Sequence, residues 1–206
     1  MSQLVNNLIL KGYISTDRIV DAFSEIQRIE FLPDDFAQFA DAEIPLPVGF
    51  GRSMIQPKVA ATMVELLDVF RGHKILEVAC ASGWITSVLA YIVGQEGKVI
   101  ATEESNGLVD FASENINKYR FIEKKRVDVY QCDVRKGFSQ QSPYDRILVN
   151  MSFDHIPDIL LDQLREDGVM VIPLYNGIWR IFKDKDGNIK KESYSGFSFL
   201  SDEGLQ

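Results

Sequence analysis

The sequence predicts an α/β protein with a doubly wound, mostly parallel sheet and helices on both faces. From residue 75 onward, short aliphatic runs alternate with stretches of helical apolar spacing, a pattern typical of a parallel sheet covered on both sides. One strand ends at Glu77 and leads through a turn of small residues into a helix starting near Trp84, the layout of many ligand-binding β-α units. Asp186 and Gly187, between two strand-like runs, predict a C-terminal hairpin.

Each element follows from its local pattern. Residues 2–12 and 16–30 have helical spacing, with Ser15 or Thr16 positioned as an N-cap, and Pro33 ends this helical region. Four prolines and glycines between residues 45 and 51 favour a loop over residues 34–56. The later pattern predicts helices at 58–70, 85–93, 107–119 and 159–164, and strands at 75–78, 98–102, 127–131, 144–150, 169–172, 178–183 and 189–194.

Size and composition predict one soluble domain over residues 1–206, with a helical and loop region at 1–70 and the alternating core at 71–206. A net charge of −8 argues against a general nucleic-acid binder. No apolar run approaches the roughly 18 residues of a membrane span, and no secretory signal is evident, so we expect a cytoplasmic protein. Cys80 and Cys132 are too few for a disulfide framework and lack metal-ligand spacing, so we expect no metal.

Two features of the first β-α unit predict a nucleoside-type ligand. Small residues in the turn leave backbone N–H groups free to face a ligand at the helix start. Alone this is weak, because any tightly packed β-α connection favours small residues. Glu103, however, ends the next strand about 20 residues further on, where nucleotide-binding folds place an acid for ribose hydroxyls.

Segments along nearly the whole chain resemble the protein-L-isoaspartate (D-aspartate) O-methyltransferases, a family of Rossmann-like S-adenosylmethionine-dependent enzymes. The early segment 28–33 resembles the family's Arg-x-x-Phe-x-Pro signature, and 76–83 stands for its Leu-Glu-(Ile/Val)-Gly-x-Gly-Ser-Gly turn. Further matches are 43–49 (acid-x-Pro-Leu-Pro-Ile-Gly), 51–57 (Gly-Gln-Thr-Ile-Ser-x-Pro), 143–149 (Pro-Tyr-Asp-x-Ile), 156–164 (Ile-Pro-x-x-Leu-x-x-Gln-Leu) and 168–173.

The resemblance implies transfer of a methyl group from S-adenosylmethionine to the α-carboxylate of isoaspartyl residues in damaged proteins, leaving S-adenosylhomocysteine. The ester then cyclises to a succinimide, which hydrolyses partly back to aspartate. Because a sulfonium methyl is already electrophilic, the site mainly aligns a carboxylate oxygen and excludes water. No metal and no activated nucleophile is needed. The expected partners are isoaspartyl proteins or peptides, and we expect a monomer.

The resemblance also implies the site residues. Glu77 corresponds to the acid near the turn, Glu103 to the ribose-binding acid and Asp133 to the acid that meets the adenine amino group; each has a structural alternative, such as capping a helix. The implied cofactor-binding set is Glu77, Ala79, Ala81, Ser82, Gly83, Glu103, Glu104, Asp133 and Val134. The implied acceptor side comprises Ser53 as the catalytic residue, with Arg52, Met54, Ile55, Lys58 and Ser201 binding substrate.

The nucleotide turn departs from the family pattern at two positions. Ala79 and Ala81 replace the usual glycines, while Gly83 is retained. A Cβ at a turn position that needs a positive φ costs about 1 kcal/mol or more and crowds the amino-acid end of the cofactor. At ordinary φ, alanine would be tolerated and would stiffen the turn.

Residues 43–57, which we call the acceptor loop, depart as well, since Ile55 replaces the family serine whose hydroxyl meets the acceptor carboxylate. Just after this loop, Lys58 replaces a histidine. Ser53 is the nearest hydroxyl that can substitute. These changes leave open a methyltransferase of the same fold with another acceptor, or a non-catalytic binding or interaction protein. His73 and His155 are isolated and expected to be incidental, with His155 the better placed of the two.

Overall fold

A central sheet organises the computed structural model, which describes residues 2–174 and 177–197. In these ranges the helices are α1 (Gln3–Leu10), α2 (Asp17–Glu25), α3 (Pro57–Leu67), α4 (Trp84–Val93), α5 (Asn106–Asn117) and α6 (Asp158–Leu161). The strands are β1 (Leu46–Gly49), β2 (Arg52–Met54), β3 (Lys74–Val78), β4 (Lys98–Glu103), β5 (Val127–Gln131), β6 (Tyr144–Val149), β7 (Leu164–Leu174), β8 (Gly177–Lys183) and β9 (Ile189–Ser195). Short 3-10 helices lie at Arg28–Phe31, Asp34–Phe39, Val134–Lys136 and Ser139–Gln141.

The strand order of the main sheet is β5-β4-β3-β6-β7-β8-β9. Strands β5 to β7 of this order run parallel, whereas β8 and β9 are antiparallel additions. The chain proceeds outward through β3, β4 and β5, then returns to place β6 on the other side of β3. Open α/β sheets bind ligands at such a switch point, beyond the carboxyl ends of the strands. The fold therefore puts the ends of β3 and β6, at Val78 and Val149, beside the expected site.

The core lies on both faces of the sheet, because successive residues of a strand point to opposite sides. Ile75 packs with α1 to α5 on one face, while Leu76 belongs to the cluster around β6 and β7 on the other. Trp84, 1% exposed at the start of α4, contacts the Phe23 ring edge-on at 5.6 Å between centroids. This contact ties the N-terminal helices to the β3-α4 unit.

The predicted α/β fold is confirmed, with differences at three places. The helix expected over residues 16–30 divides into α2 and the 3-10 turn Arg28–Phe31. The helix expected at 159–164 is only α6, because Leu164 already begins β7. The prediction of a loop over residues 34–56 is wrong: this segment contains a 3-10 helix and the antiparallel hairpin β1-β2.

The start of α2 is also settled by the structure. Thr16 is its N-cap residue, but the hydroxyl donates a short hydrogen bond to Glu65 of α3 instead of capping the helix.

Within the described ranges no helix is long and apolar enough to cross a bilayer.

Candidate active site

The turn between β3 and α4 has three residues in the left-handed region: Ala79 at φ 62°, Ala81 at φ 50° and Gly83 at φ 83°. The alternative of ordinary φ at the two alanines is therefore wrong. An L-residue with a Cβ costs about 1–2 kcal/mol in this conformation. A side chain does not fit at Gly83, since a Cβ there would lie 2.7 Å from Ile116 Cγ1 and 3.2 Å from the Ala112 carbonyl oxygen. The turn thus keeps the backbone path of a glycine-rich loop with methyl groups added at two positions.

Glu103 fixes this turn from the end of β4. The residue is 1% exposed, and its Oε2 accepts from the Ala81 N–H at 3.0 Å while its Oε1 accepts from the Glu104 N–H at 2.8 Å. An ionised carboxylate has about four acceptor positions, so these two bonds leave acceptor capacity for two neighbouring hydroxyls. This is the arrangement expected of a ribose-binding acid.

Glu77, the penultimate residue of β3, is fully buried beside Asn150, which directly follows β6. Asn150 Nδ2 donates to Glu77 Oε1 at 2.8 Å. Burial is the main cause that raises the pKa of Glu77 to about 7, with hydrogen bonds from Thr86 and Asn150 opposing it. Among the described residues, Glu77 Oε2 and Asn150 Oδ1 are buried without a hydrogen-bond partner. The buried Thr86 hydroxyl lies beside Glu77 and can donate to it, which leaves Asn150 Oδ1 as the acceptor open to a donor from a ligand.

Asn150 lines a pocket that the acceptor loop completes, whereas Glu77 lies buried behind this lining. Ser53 and Ile55, at and after β2, line the same pocket as the nucleotide turn and Asn150. Its full lining is Ser53, Met54, Ile55, Ala79, Cys80, Ala81, Ser82, Trp84, Ile85 and Asn150. The structure therefore brings together two segments that the sequence placed in one site, although they are more than 20 residues apart.

The tip of hairpin β1-β2 rests on the start of α5. The Phe50 ring lies so close to Gly107 that a Cβ there would be 2.2 Å from Phe50 Cε1. Beside it, Arg52 Nη2 bonds Glu104 Oε2 at 3.1 Å. The hairpin thus spans from the acceptor pocket to the residues that follow Glu103.

The remaining expected residues are less closely assembled. Asp133 is exposed and caps the 3-10 helix Val134–Lys136, accepting from the Arg135 N–H at 3.2 Å. The Lys136 ammonium, at 3.0 Å, is the main cause that holds the pKa of Asp133 below its usual value. The Val134 side chain is fully buried in the core. Lys58 is half-buried near the start of α3, and Ser201 lies outside the described residues.

The two histidines lie apart from this pocket. His73 precedes β3 at the amino end of the sheet, where its Nδ1 accepts from the Phe70 N–H at 3.1 Å. His155 is exposed after β6. In the described parts of the chain, no group of three or more His, Cys, Asp or Glu residues is arranged to hold a metal ion.

Sequence reasoning missed Asn150 and the contacts of Arg28. Asn150 could have been found from topology, since a polar residue ending the strand beside β3 must face the nucleotide turn. Arg28 was noted within a motif, but its partners lie 12 to 27 positions away.

Comparison with known proteins decides the family. Residues 1–202 match the family described as Protein-L-isoaspartate(D-aspartate) O-methyltransferase (PCMT). The chain belongs to this family. It is 37% identical to the Protein-L-isoaspartate O-methyltransferase of Methanopyrus kandleri, over 99% of this chain and 92% of that protein. The enzyme of the same name from Ignicoccus hospitalis is 34% identical, over 92% and 91%.

Solved structures agree with this PCMT assignment. A putative PCMT from Plasmodium falciparum, in complex with S-adenosyl-L-homocysteine, covers 96% of this chain and 95% of its own, with a TM-score of 0.84 and 22% identity, which shows the fold. A second protein-L-isoaspartate O-methyltransferase has a TM-score of 0.79 at 25% identity, over 97% of this chain and 65% of that one. The chain is thus a Rossmann-like, S-adenosylmethionine-dependent carboxyl methyltransferase.

The site residues fit this cofactor. The α-ammonium group of S-adenosylmethionine carries three N–H donors, which matches the unpartnered Asn150 Oδ1 in the pocket lining. The free acceptor capacity of Glu103 matches the ribose hydroxyls. The different-acceptor and non-catalytic alternatives raised by the sequence are not favoured by the comparisons.

Proposed function

We propose that this chain methylates the α-carboxylate of isoaspartyl residues in damaged proteins and so starts their repair. One observation supports this most: the acceptor loop and the nucleotide turn line a single pocket at the switch point of the sheet. S-adenosylmethionine, when bound, supplies an electrophilic methyl group. The protein then has to align a carboxylate oxygen with that methyl and exclude water.

The cofactor side of this proposal rests on two carboxylates with different tasks. Glu103, which orders the turn through the Ala81 N–H, accepts from the ribose hydroxyls. Glu77, held by Asn150, accepts from the ammonium group. The other cofactor contacts we propose are those of Ala79, Ser82, Gly83, Glu104, Asp133 and Val134.

On the acceptor side, Ser53 is the hydroxyl that we assign to the carboxylate. It is exposed on β2 and lines the pocket next to Ile55, which has no polar atom to donate. Arg52 and Lys58 supply positive charge around the acceptor, Arg52 from its position against Glu104. Met54 and Ile55 form the apolar wall, and Ser201 is proposed to contact the substrate as well.

The test is methyl transfer from tritiated S-adenosylmethionine to matched isoaspartyl and aspartyl peptides. We expect activity on the isoaspartyl peptide alone. Ser53→Ala should lower kcat/KM by about 10-fold to 100-fold, at about 1.4 kcal/mol per decade, and Ile55→Ser should raise it. Ser193→Ala, an exposed serine on β9, serves as the matched control and should change nothing.

Inactivity of both the wild type and Ile55→Ser, with S-adenosylhomocysteine still bound, would contradict the proposed acceptor. Loss of S-adenosylhomocysteine binding in the wild type would contradict the cofactor site instead. Calorimetric titration separates these outcomes without any acceptor.

We further propose that the enzyme works in the cytoplasm as a monomeric, single-domain protein without a nucleic-acid partner. Cys80 and Cys132 are both free thiols, as expected in a reducing compartment. The net charge of −8 disfavours contact with a phosphate backbone. Sedimentation analysis of the purified protein tests the monomer directly.

A further inference from the structure

Arg28 is a buried arginine at the start of the 3-10 turn Arg28–Phe31, and it is 3% exposed. Burial is the main cause that lowers its pKa to about 10, with Glu43 and Asp41 opposing, so the guanidinium stays charged at neutral pH. A charge is rarely buried this deeply unless each of its donors is satisfied. The partners of the guanidinium therefore show what this charge does.

All of these partners lie on the acceptor loop or on the few residues that precede it. Nη1 donates to the carbonyl oxygens of Ala40 at 3.1 Å and Ala42 at 2.9 Å. Nη2 donates to those of Ile44 at 2.9 Å and Ile55 at 3.4 Å. A fifth contact joins Nε to Met54 Sδ at 3.2 Å. Five contacts match the five N–H groups that a guanidinium carries.

These partners lie on both sides of hairpin β1-β2. Ala40, Ala42 and Ile44 precede β1, whereas Met54 ends β2 and Ile55 follows it. The guanidinium thus joins the chain entering the hairpin to the chain leaving it, at the level of Ile55 in the pocket. The Arg28 guanidinium carbon also lies 5.5 Å from the centroid of Trp84, another pocket residue.

From this geometry we infer that Arg28 is a positioning residue that holds the acceptor loop in the conformation that binds the methyl acceptor. Arg28 thereby determines the affinity for the acceptor, and it does not contribute to cofactor binding. The inference rests on the proposed function for its acceptor. Arg28 reaches the acceptor only through the backbone of Ile55 and its neighbours. The cofactor groups Glu77 and Glu103 are held by other residues, Asn150 and Ala81.

The test replaces Arg28 with lysine, which keeps the charge but has three donors at one point and cannot span both ends of the hairpin. Arg146→Lys is the matched control, because Arg146 is also partly buried and bonds the Leu67 and Asp68 carbonyl oxygens, at the opposite end of the sheet. Each variant is assayed for S-adenosylhomocysteine affinity, steady-state kinetics with an isoaspartyl peptide, and amide hydrogen exchange.

For Arg28→Lys we expect the KM for the isoaspartyl peptide to rise at least about 10-fold, with the Kd for S-adenosylhomocysteine changed less than about 2-fold. Amides of residues 40–56 should exchange faster, while those of β3 and β4 keep their protection. Arg146→Lys should leave the KM and the exchange of residues 40–56 as in the wild type.

An equal rise in the S-adenosylhomocysteine Kd, or unchanged exchange at residues 40–56, would overturn the inference. If the wild type methylates no isoaspartyl peptide, the proposed function fails, yet exchange and cofactor affinity still decide the role of Arg28. Arg28→Gln, which buries no charge and keeps two N–H groups, replaces the lysine variant if that variant does not fold. Failure of both variants to fold would also overturn the inference, since Arg28 would then serve the whole fold.

Discussion

Ala81 offers the sharpest test of the nucleotide turn. Its φ of 50° lies in the region that glycine occupies without cost, while its N–H donates to Glu103. Replacing Ala81 with glycine removes the Cβ and keeps this hydrogen bond. We expect the variant to be more stable than the wild type, which is the reverse of the usual effect of glycine.

The size of this stability change follows from two opposing effects. Relief of the left-handed alanine is worth about 1–2 kcal/mol. The greater freedom of glycine in the unfolded chain costs about 0.4–1 kcal/mol. With the middle value of each range, the Ala81→Gly variant gains about 0.8 kcal/mol before the loss of its partly buried methyl group is counted, so Tm rises by at most about 2–3 °C for a domain of this size. Ala79 is only 8% exposed, so Ala79→Gly also loses a packed methyl worth about 0.8 kcal/mol and should be nearly neutral.

Thermal unfolding followed by circular dichroism measures these differences. Ala61→Gly, inside α3, is the control and should lower stability by about 1 kcal/mol or more, because glycine is unfavourable in a helix. Gly83→Ala should be strongly destabilising, since its new Cβ meets Ile116. If Ala81→Gly melts below the wild type, as Ala61→Gly should, the strain assigned to this turn does not exist.

Four further outcomes are expected at the site. Glu103→Ala should weaken S-adenosylhomocysteine binding by about 1–3 kcal/mol in calorimetry, and an unchanged Kd would contradict the ribose assignment. The pKa of Glu77 is raised to about 7, and its ionised form accepts from the ammonium group of the cofactor. The affinity for S-adenosylhomocysteine should therefore fall by up to about 10-fold per pH unit below pH 7, and Glu77→Gln should remove this dependence. The stability of the unliganded protein should change with pH in the opposite direction, since a raised pKa of Glu77 stabilises the folded state at low pH and this contribution is lost as the pH rises through 7. A melting temperature that does not fall as the pH is raised through 7 would argue against the raised pKa. Amides of residues 43–57 should gain protection from hydrogen exchange when S-adenosylhomocysteine and an isoaspartyl peptide are both added, and no change would count against the acceptor loop.

The β3-turn-α4 unit was predictable because its signals are local. An apolar strand, small residues and a helix follow one another in sequence, and the acid at Glu103 comes one β-α unit later. What the sequence could not settle was the φ of Ala79 and Ala81. Alanine normally avoids the left-handed region, so only the tertiary path of the turn decides between strain and tolerance.

The segment 34–56, which contains most of the acceptor loop, was mispredicted for an identifiable reason. Pro47 and the glycines around it are typical strand breakers, yet a two-stranded ribbon has free edges on which proline is tolerated. Pro47 pairs opposite Ser53, and Gly49 and Gly51 supply positive φ at the turn. The role of Arg28 was out of reach for another reason, since its partners are brought near only by tertiary folding.

The two edge strands of the main sheet carry charged side chains. Among the described residues, β5 and β9 form the edges; β5 carries Asp128, paired with Lys98 at 2.7 Å, and β9 exposes Lys190 and Lys191. Charges on edge strands discourage pairing with foreign strands. Damaged proteins, the proposed substrates, expose unpaired strands when they unfold locally. We therefore expect the charged edge strands to limit strand pairing between this enzyme and such substrates.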